Sequence, residues 1–402
     1  MAITSYLINS MTIKPVDLSV ESKSIMSKIQ STRNEFLWVH ASDIKDITKL
    51  QDIFNLHPLE VESVINQNHP SKIEGYEGYI FAIIDGVKEG IKKDNFNDEI
   101  KKDDSQTKNQ IDIENKIFVE DDLFIFLENK WIITINFHNG KFEDKVKKRL
   151  EHFIHQYNNN IKDLNSSDSS FDNIVLPEYK GIEKMNEAVY RIAFEEMISS
   201  YYPVLDSLRE DLEEAEDYIL DSGKGGRKVT RNQLADLLLI RRKITTVERA
   251  LDMISRAVDD FTGIIGIMDQ DISVTDLTKI ESRLTRIFGK EDLLTIETIR
   301  HMYWIRGKIK YLLNDLINIH NRILNLHEAY NSSLSANLNE TIRTLTVIAT
   351  IVLPLTLITG IYGMNFEFMP KFPFPYGFLY ALSLLLIVGG GMVLYFRKRR
   401  WI

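Results

Sequence analysis

The chain has 402 residues, of which 44% are hydrophobic and 27% charged. That is too long for one ordinary domain and too apolar for a disordered chain. The absence of cysteine excludes disulfides, thiolate metal sites and cysteine nucleophiles. The formal net charge of -9 divides unevenly: 43 basic and 56 acidic residues precede position 339, a net -13, and the last 64 residues carry +4. An acidic body disfavours nonspecific nucleic-acid binding and tolerates cations nearby.

Residues Met1 to Lys23 lack the basic flank and apolar run of a secretory signal, which places the N-terminus in the cytosol. Residues 1–180 read as a mixed α/β domain, with apolar β-formers at Tyr79–Ile84, Leu123–Leu127 and Trp131–Phe137. Lys92–Asn115 is polar and reads as a loop insertion; Asn158–Asp172 reads as a loop or linker.

Residues 181–338 read as helical. Glu183–Leu220 and Asn232–Ile265 form two long segments, joined by a turn at Asp221–Gly226 that lacks the spacing of a phosphate-binding loop. The acid-rich stretch Asp206–Asp217 is either a reservoir of charge or a solvated helix face. A third helix carries Met302, Ile305, Ile309, Leu312, Leu316, Ile319, Ile323, Leu326 and Tyr330 at alternating spacings of three and four, a heptad seam held for four repeats. The seam fits an ordinary packed helix, but points more sharply to self-association. No proline follows Asp292 before Pro354, so a helix from Asp292 to Tyr362 would be about 107 Å long, a stalk entering the next segment unbroken.

Residues 339–402 form the third region. Thr344–Phe366 is 23 residues without a charge and Phe372–Phe396 is 25, each long enough to cross a membrane once Pro373 and Pro375 trim the second. The expected spans are about 340–362 and 376–396, with a loop at about 363–375 and a basic tail at 397–402. Arg343 precedes the first span and Arg397, Lys398, Arg399 and Arg400 follow the second. The positive-inside bias therefore puts both termini in the cytosol and the loop outside. Trp401 suits the membrane interface.

The first span ends in Tyr362-Gly363-Met364-Asn365-Phe366. At the end of the first of two C-terminal spans, with a basic tail, this resembles the signature of the CorA family of divalent-cation transport proteins. Leu56-His57-Pro58-Leu59 with Glu62, then Pro70, Lys72, Glu74 and Tyr76, also resembles the family's N-terminal segment. The resemblance implies a homopentamer with a funnel-shaped cytosolic α/β domain, a helical stalk, and two transmembrane helices per subunit. The first would line a central pore, and the second would face membrane lipid.

Magnesium demands near-octahedral oxygen coordination and sheds water reluctantly. No acid lies between Thr344 and Phe366, so the ligands available are neutral: the Asn365 side chain and backbone carbonyls near Gly363. Five Asn365 side chains would grip a hydrated ion through its waters, with Gly363 permitting the turn. Asn339, Ile342, Leu345, Ala349, Leu353, Thr356 and Gly360 share one helix face. The resemblance makes it the pore face: apolar constrictions at Ile342, Leu345 and Leu353, and oxygens at Thr356 and Gly360. Without the resemblance the same spacing fits a lipid- or helix-facing stripe.

Glu367 in the outer loop would concentrate cations, although Lys371 departs from the acid often found in the family. Two charges crossing 100 mV gain about 4.6 kcal/mol, so uptake needs no ATPase. Magnesium is the expected substrate and a regulatory ligand in the cytosol, with cobalt or nickel as further ions. Met364 favours magnesium over the alternative of zinc or another heavy metal. A non-conducting, membrane-anchored sensor or scaffold is the reading from a different class. The family's regulatory acids find no match in Arg300–Gly307, so the regulatory site is unassigned. His152 with His155 and His320 with His327 are candidate metal pairs. No catalytic arrangement is evident, and no enzyme activity, organic cofactor or nucleic-acid partner is expected.

Overall fold

A computed structural model describes residues 3–9, 11–32, 34–67, 69–76, 78–91, 116–137, 141–165, 185–224, 231–265, 294–364, 376–399 and 401. They form two compact units, Met1–Glu214 with Asp236–Ile323, and Ala215–Ala235 with Leu324–Ile402. The polar insertion at 92–115 lies outside the described residues.

The first unit is built on a mixed sheet. Its strands are β1 (Ile3–Ile8), β2 (Ile13–Pro15), β3 (Phe36–Ala41), β4 (Lys72–Tyr76) and β5 (Tyr79–Ile84). The antiparallel pair β6 (Val87–Ile91) and β7 (Lys116–Glu120) forms a second, two-stranded sheet, and β8 (Leu123–Leu127) and β9 (Trp131–Ile135) belong to the first. The strand order is β2-β1-β3-β9-β8-β5-β4, antiparallel throughout except for β3 beside β9. Every residue of β3, β5, β8 and β9 is buried. Their near-continuous apolar runs reflect cover on both faces.

Helices α1 (Leu18–Ser31), α2 (Ile47–Phe54) and α3 (Pro58–Asn66) cover one face. Ile29, Leu50, Phe54 and Val64 meet Val39, Phe81, Phe126 and Ile133 there. The α3 start is capped by His57, whose Nδ1 accepts the Leu59 N–H at 3.3 Å, and Pro58 occupies the first turn, where a missing N–H costs nothing. α4 (Phe142–Asn165) packs on α5 (Met185–Ser199), which lies against β3, β8 and β9.

The expected loop or linker at Asn158–Asp172 is corrected in part: Asn158–Asn165 continues α4, and the rest lies outside the described residues. The continuous helix expected over Glu183–Leu220 is two, α5 and α6 (Tyr201–Lys224). Pro203 has no N–H to offer the Ser199 carbonyl, and the Ser200 N–H closes α5 onto Glu196 O and Met197 O at 3.1 and 3.2 Å. α6 runs through Gly223, later than the expected start of the turn, and α7 (Arg231–Ile265) follows.

α8 (Ile296–Gly363) has 68 residues, about 100 Å of helical rise, and contains Pro354. All nine seam residues from Met302 to Tyr330 are buried within the single chain. This corrects the inference from the seam to self-association, because the stripe already has its cover. Charge pairs pin α8 in the first unit: Lys308 to Glu195 at 2.9 Å, Arg209 of α6 to Asp315, and Arg306 to Asp259 of α7. α9 (Tyr376–Lys398) is the last helix.

The acid-rich stretch of α6 is no free reservoir. Asp211 is buried against Lys243 of α7 at 2.8 Å, and Asp206 pairs with Arg209 at 2.5 Å. Glu210, Glu213 and Asp217 are exposed, as a solvated face requires.

Candidate functional site

α8 and α9 are both long and apolar enough to cross a membrane. Within the second unit they meet along one face of each. On α8 the covered positions are Arg343, Val347, Ile351, Pro354, Leu355 and Ile358; on α9 they are Ala381, Leu384, Leu385, Val388, Gly389, Met392 and Phe396. Val347 is 3% exposed and Phe396 8%.

Among the described residues, nothing covers the opposite face of α8. Asn339, Ile342, Leu345, Ala349, Leu353, Thr356 and Gly360 are all exposed, with Ile342 at 60%, Leu345 at 67% and Leu353 at 69%. The seven residues at which the sequence places the candidate pore face thus lie together on the side turned away from α9. Such an apolar strip needs lipid or further copies of the chain around it.

The threonine hydroxyls from Thr341 to Thr359 are bonded within the helix. Thr346 donates to Ile342 O at 2.8 Å, Thr350 to Thr346 O at 2.6 Å, and Thr356 to Val352 O and Leu353 O at 2.9 Å each. Back-bonding of this kind lets a hydroxyl sit in an apolar segment without an unsatisfied donor. It also has a chemical consequence. With its proton committed to the backbone, the Thr356 oxygen can act outward only as an acceptor. Water bound to a cation points its hydrogens outward, so an acceptor is what a hydrated cation requires of its surroundings.

At the end of α8, the Met364 N–H bonds Ile361 O at 3.3 Å, and Met364 is 52% exposed. A Cβ at Gly363 would meet nothing within 4 Å, and Gly363 has no left-handed backbone; Gly78 is the positive-φ glycine among the described residues. Gly363 is the last residue of α8, and the segment from Asn365, where a turn would follow, lies outside the described residues. Asn365, Glu367, Lys371 and Arg400 lie outside the described residues, whereas Arg397 and Lys398 end α9 and Arg399 follows.

Neither histidine pair belongs to a larger group of metal ligands among the described residues. His320 faces Glu248 at 4.0 Å, and Asn331 lies 3.4 Å from the His327 ring. Among the described residues no group of three His, Asp or Glu is placed to hold an ion. Two networks went unread in the sequence. Glu187 is buried and accepts from the Thr295 N–H at 2.9 Å, the Thr295 hydroxyl at 2.6 Å and the Thr298 hydroxyl at 2.5 Å. Glu60, also buried, accepts from the Tyr79 hydroxyl at 2.5 Å, and burial pushes its carboxyl up to about 7. An acid between apolar neighbours, as in Leu59-Glu60-Val61, was the available signal.

The profile of the family described as CorA-like Mg2+ transporter protein matches residues 106–398. The cobalt/magnesium transport protein CorA of Thermotoga maritima is 22% identical over 373 residues, which cover 90% of this chain and 81% of that one. The magnesium transport protein CorA of Wolinella succinogenes is 27% identical over 175 residues, 39% of this chain and 54% of its own. Among solved structures, the complete CorA magnesium transporter from Methanocaldococcus jannaschii aligns with a TM-score of 0.66 at 16% identity, covering 100% of this chain and 99% of that one. At that identity the likeness is one of fold.

Proposed function

The chain belongs to the CorA-like Mg2+ transporter family, and from that premise we propose that it is a homopentameric channel for potential-driven uptake of hydrated Mg2+. Five copies of α8 surround the pore, α9 faces lipid, and both termini lie in the cytosol. The observation that carries this reading is the uncovered face of α8, from Asn339 to Gly360, leading to Gly363 and Met364. None of the described residues covers that face, and closing five such faces around an axis gives each a partner.

The ion keeps its first water shell. Asn365 side chains and Gly363 carbonyls accept hydrogen bonds from those waters at the outer mouth, and Glu367 raises the local cation concentration. Further in, the Thr356 oxygens repeat the acceptor role. Ile342, Leu345 and Leu353 form apolar rings that close by dewetting. Because the segment is charge-free, the ion is never held by a strong anionic ligand that would slow its release. Cobalt and nickel have similar hydrated complexes and enter by the same route. Closure by cytosolic Mg2+ belongs to this reading, with the regulatory ligands shared between subunits.

Vesicles containing the full chain and a magnesium-sensitive dye test the proposal. Under an inward-negative potential, Mg2+ influx is expected, and Asn365→Ala is expected to abolish it while leaving the oligomer intact. Zinc flux without magnesium flux would change the assigned substrate. No divalent flux at all would leave a non-conducting sensor or scaffold.

A further inference from the structure

The end of α9 turns back on itself. The Trp401 N–H donates to Phe396 O at 2.9 Å, and the Arg399 N–H to Tyr395 O at 3.1 Å. The turn lays the indole of Trp401 on the Phe396 ring, with centroids 5.8 Å apart and planes inclined by 27°. The Arg343 guanidinium, from α8, lies 5.2 Å from the centroid of the same indole. Trp401 thus ties the basic end of one apolar helix to the basic end of the other. Arg397, Lys398 and Arg399 are exposed beside it, and the tail contains no acid.

We propose that this collar is a binding site for anionic phospholipid headgroups in the leaflet at this end of the spans. The inference rests on reading α8 and α9 as membrane-spanning. Arginine offers a planar fork of donors that matches a phosphodiester, and cations next to a span attract anionic lipid. Tryptophan prefers the depth at which headgroups meet acyl chains. The chemistry shared with a free phosphate is settled in favour of lipid by position, because the cations sit where two apolar helices end. Stacking holds Arg343 at that level and fixes a charge that would otherwise sample many rotamers.

The four tryptophans are Trp38, Trp131, Trp304 and Trp401, so the difference between wild type and Trp401→Phe isolates the collar's fluorescence. The full chain is reconstituted in phosphatidylcholine vesicles. These contain a minor, equal fraction of either brominated phosphatidylglycerol or brominated phosphatidylcholine. Quenching of Trp401 by the anionic lipid is expected to exceed that by the zwitterionic lipid about fivefold or more. Combining Arg343→Gln, Arg397→Gln and Arg399→Gln is expected to abolish the preference. Equal quenching by the two lipids in the wild type overturns the proposal, and so does a preference that survives the triple substitution. The wild-type comparison stands even if the triple variant fails to fold. Absence of quenching by either lipid would instead refute the membrane-spanning reading and the proposal with it.

Discussion

A Cβ placed on Gly389 would lie 3.6 Å from Cδ1 and from Cδ2 of Leu355, which is where α9 lays its backbone against α8. A methyl group fits at ordinary contact distance, and a branched side chain does not. Gly389→Ala is expected to leave thermal stability in detergent unchanged or raised, since alanine gains up to about 1 kcal/mol in helix propensity. Gly389→Leu is expected to lower it by about 1–3 kcal/mol through overpacking. Gly390→Leu serves as the control, because nothing stands within 4 Å of a Cβ there. Melting temperatures of the three variants check the prediction.

The absence of native cysteine makes single-cysteine accessibility a clean probe of the α8 faces. Cysteines replacing Leu345 or Leu353, which are 67% and 69% exposed, are expected to react with a water-soluble thiol reagent and lose Mg2+ flux. A cysteine replacing Val347, 3% exposed, is expected to stay unreactive. Reactivity at Val347 with silence at Leu353 would reverse the assignment of faces.

Lys243 and Asp211 meet at 2.8 Å with side chains only 5% and 6% exposed. Removing one partner leaves a buried charge uncompensated. Lys243→Met is therefore expected to cost about 3–5 kcal/mol of stability, and the double change with Asp211→Leu to recover most of that loss. Denaturant unfolding of the two variants measures the difference.

Glu60 predicts a pH dependence of defined sign. Burial raises its carboxyl from 4.5 to about 7, while Tyr79, Tyr76 and Lys72 oppose the shift and Glu74 adds to it. A raised folded pKa contributes stability below the unfolded value, and that stability is lost as pH rises through the folded one. Glu60→Gln keeps a neutral partner for Tyr79. Its stability relative to wild type is expected to rise by roughly 3 kcal/mol between pH 4.5 and 7.

His301 has the opposite sign. Burial and the Arg191 charge depress it from 6.5 to about 3, so its stabilisation is lost as pH falls below 6.5 towards that value. Between pH 4.5 and 6.5 the two groups oppose one another, and Glu60→Gln should expose the His301 slope. Unfolding free energies across that range provide the check.

Much of the architecture could be read along the chain, for a common reason. Charge-free length identified both apolar helices, and runs of β-formers located β5, β8 and β9. Spacing alone grouped Asn339, Ile342, Leu345, Ala349, Leu353, Thr356 and Gly360. These are one-dimensional properties. β3 escaped notice because His40 interrupts its apolar run. Its ring lies 3.0 Å from the Thr134 hydroxyl, to which Trp38 also donates at 2.9 Å. That hydroxyl is 94 residues from His40, so no local pattern announces it.

The sequence by itself determined that α8 carries two stripes, the seam from Met302 to Tyr330 and the face from Asn339 to Gly360. Only the tertiary structure decided which stripe was already covered. The seam is buried within its own chain, whereas the second face has no cover among the described residues. Periodicity specifies that a surface must leave water, but not what will cover it. Cover depends on contacts between segments far apart in the chain.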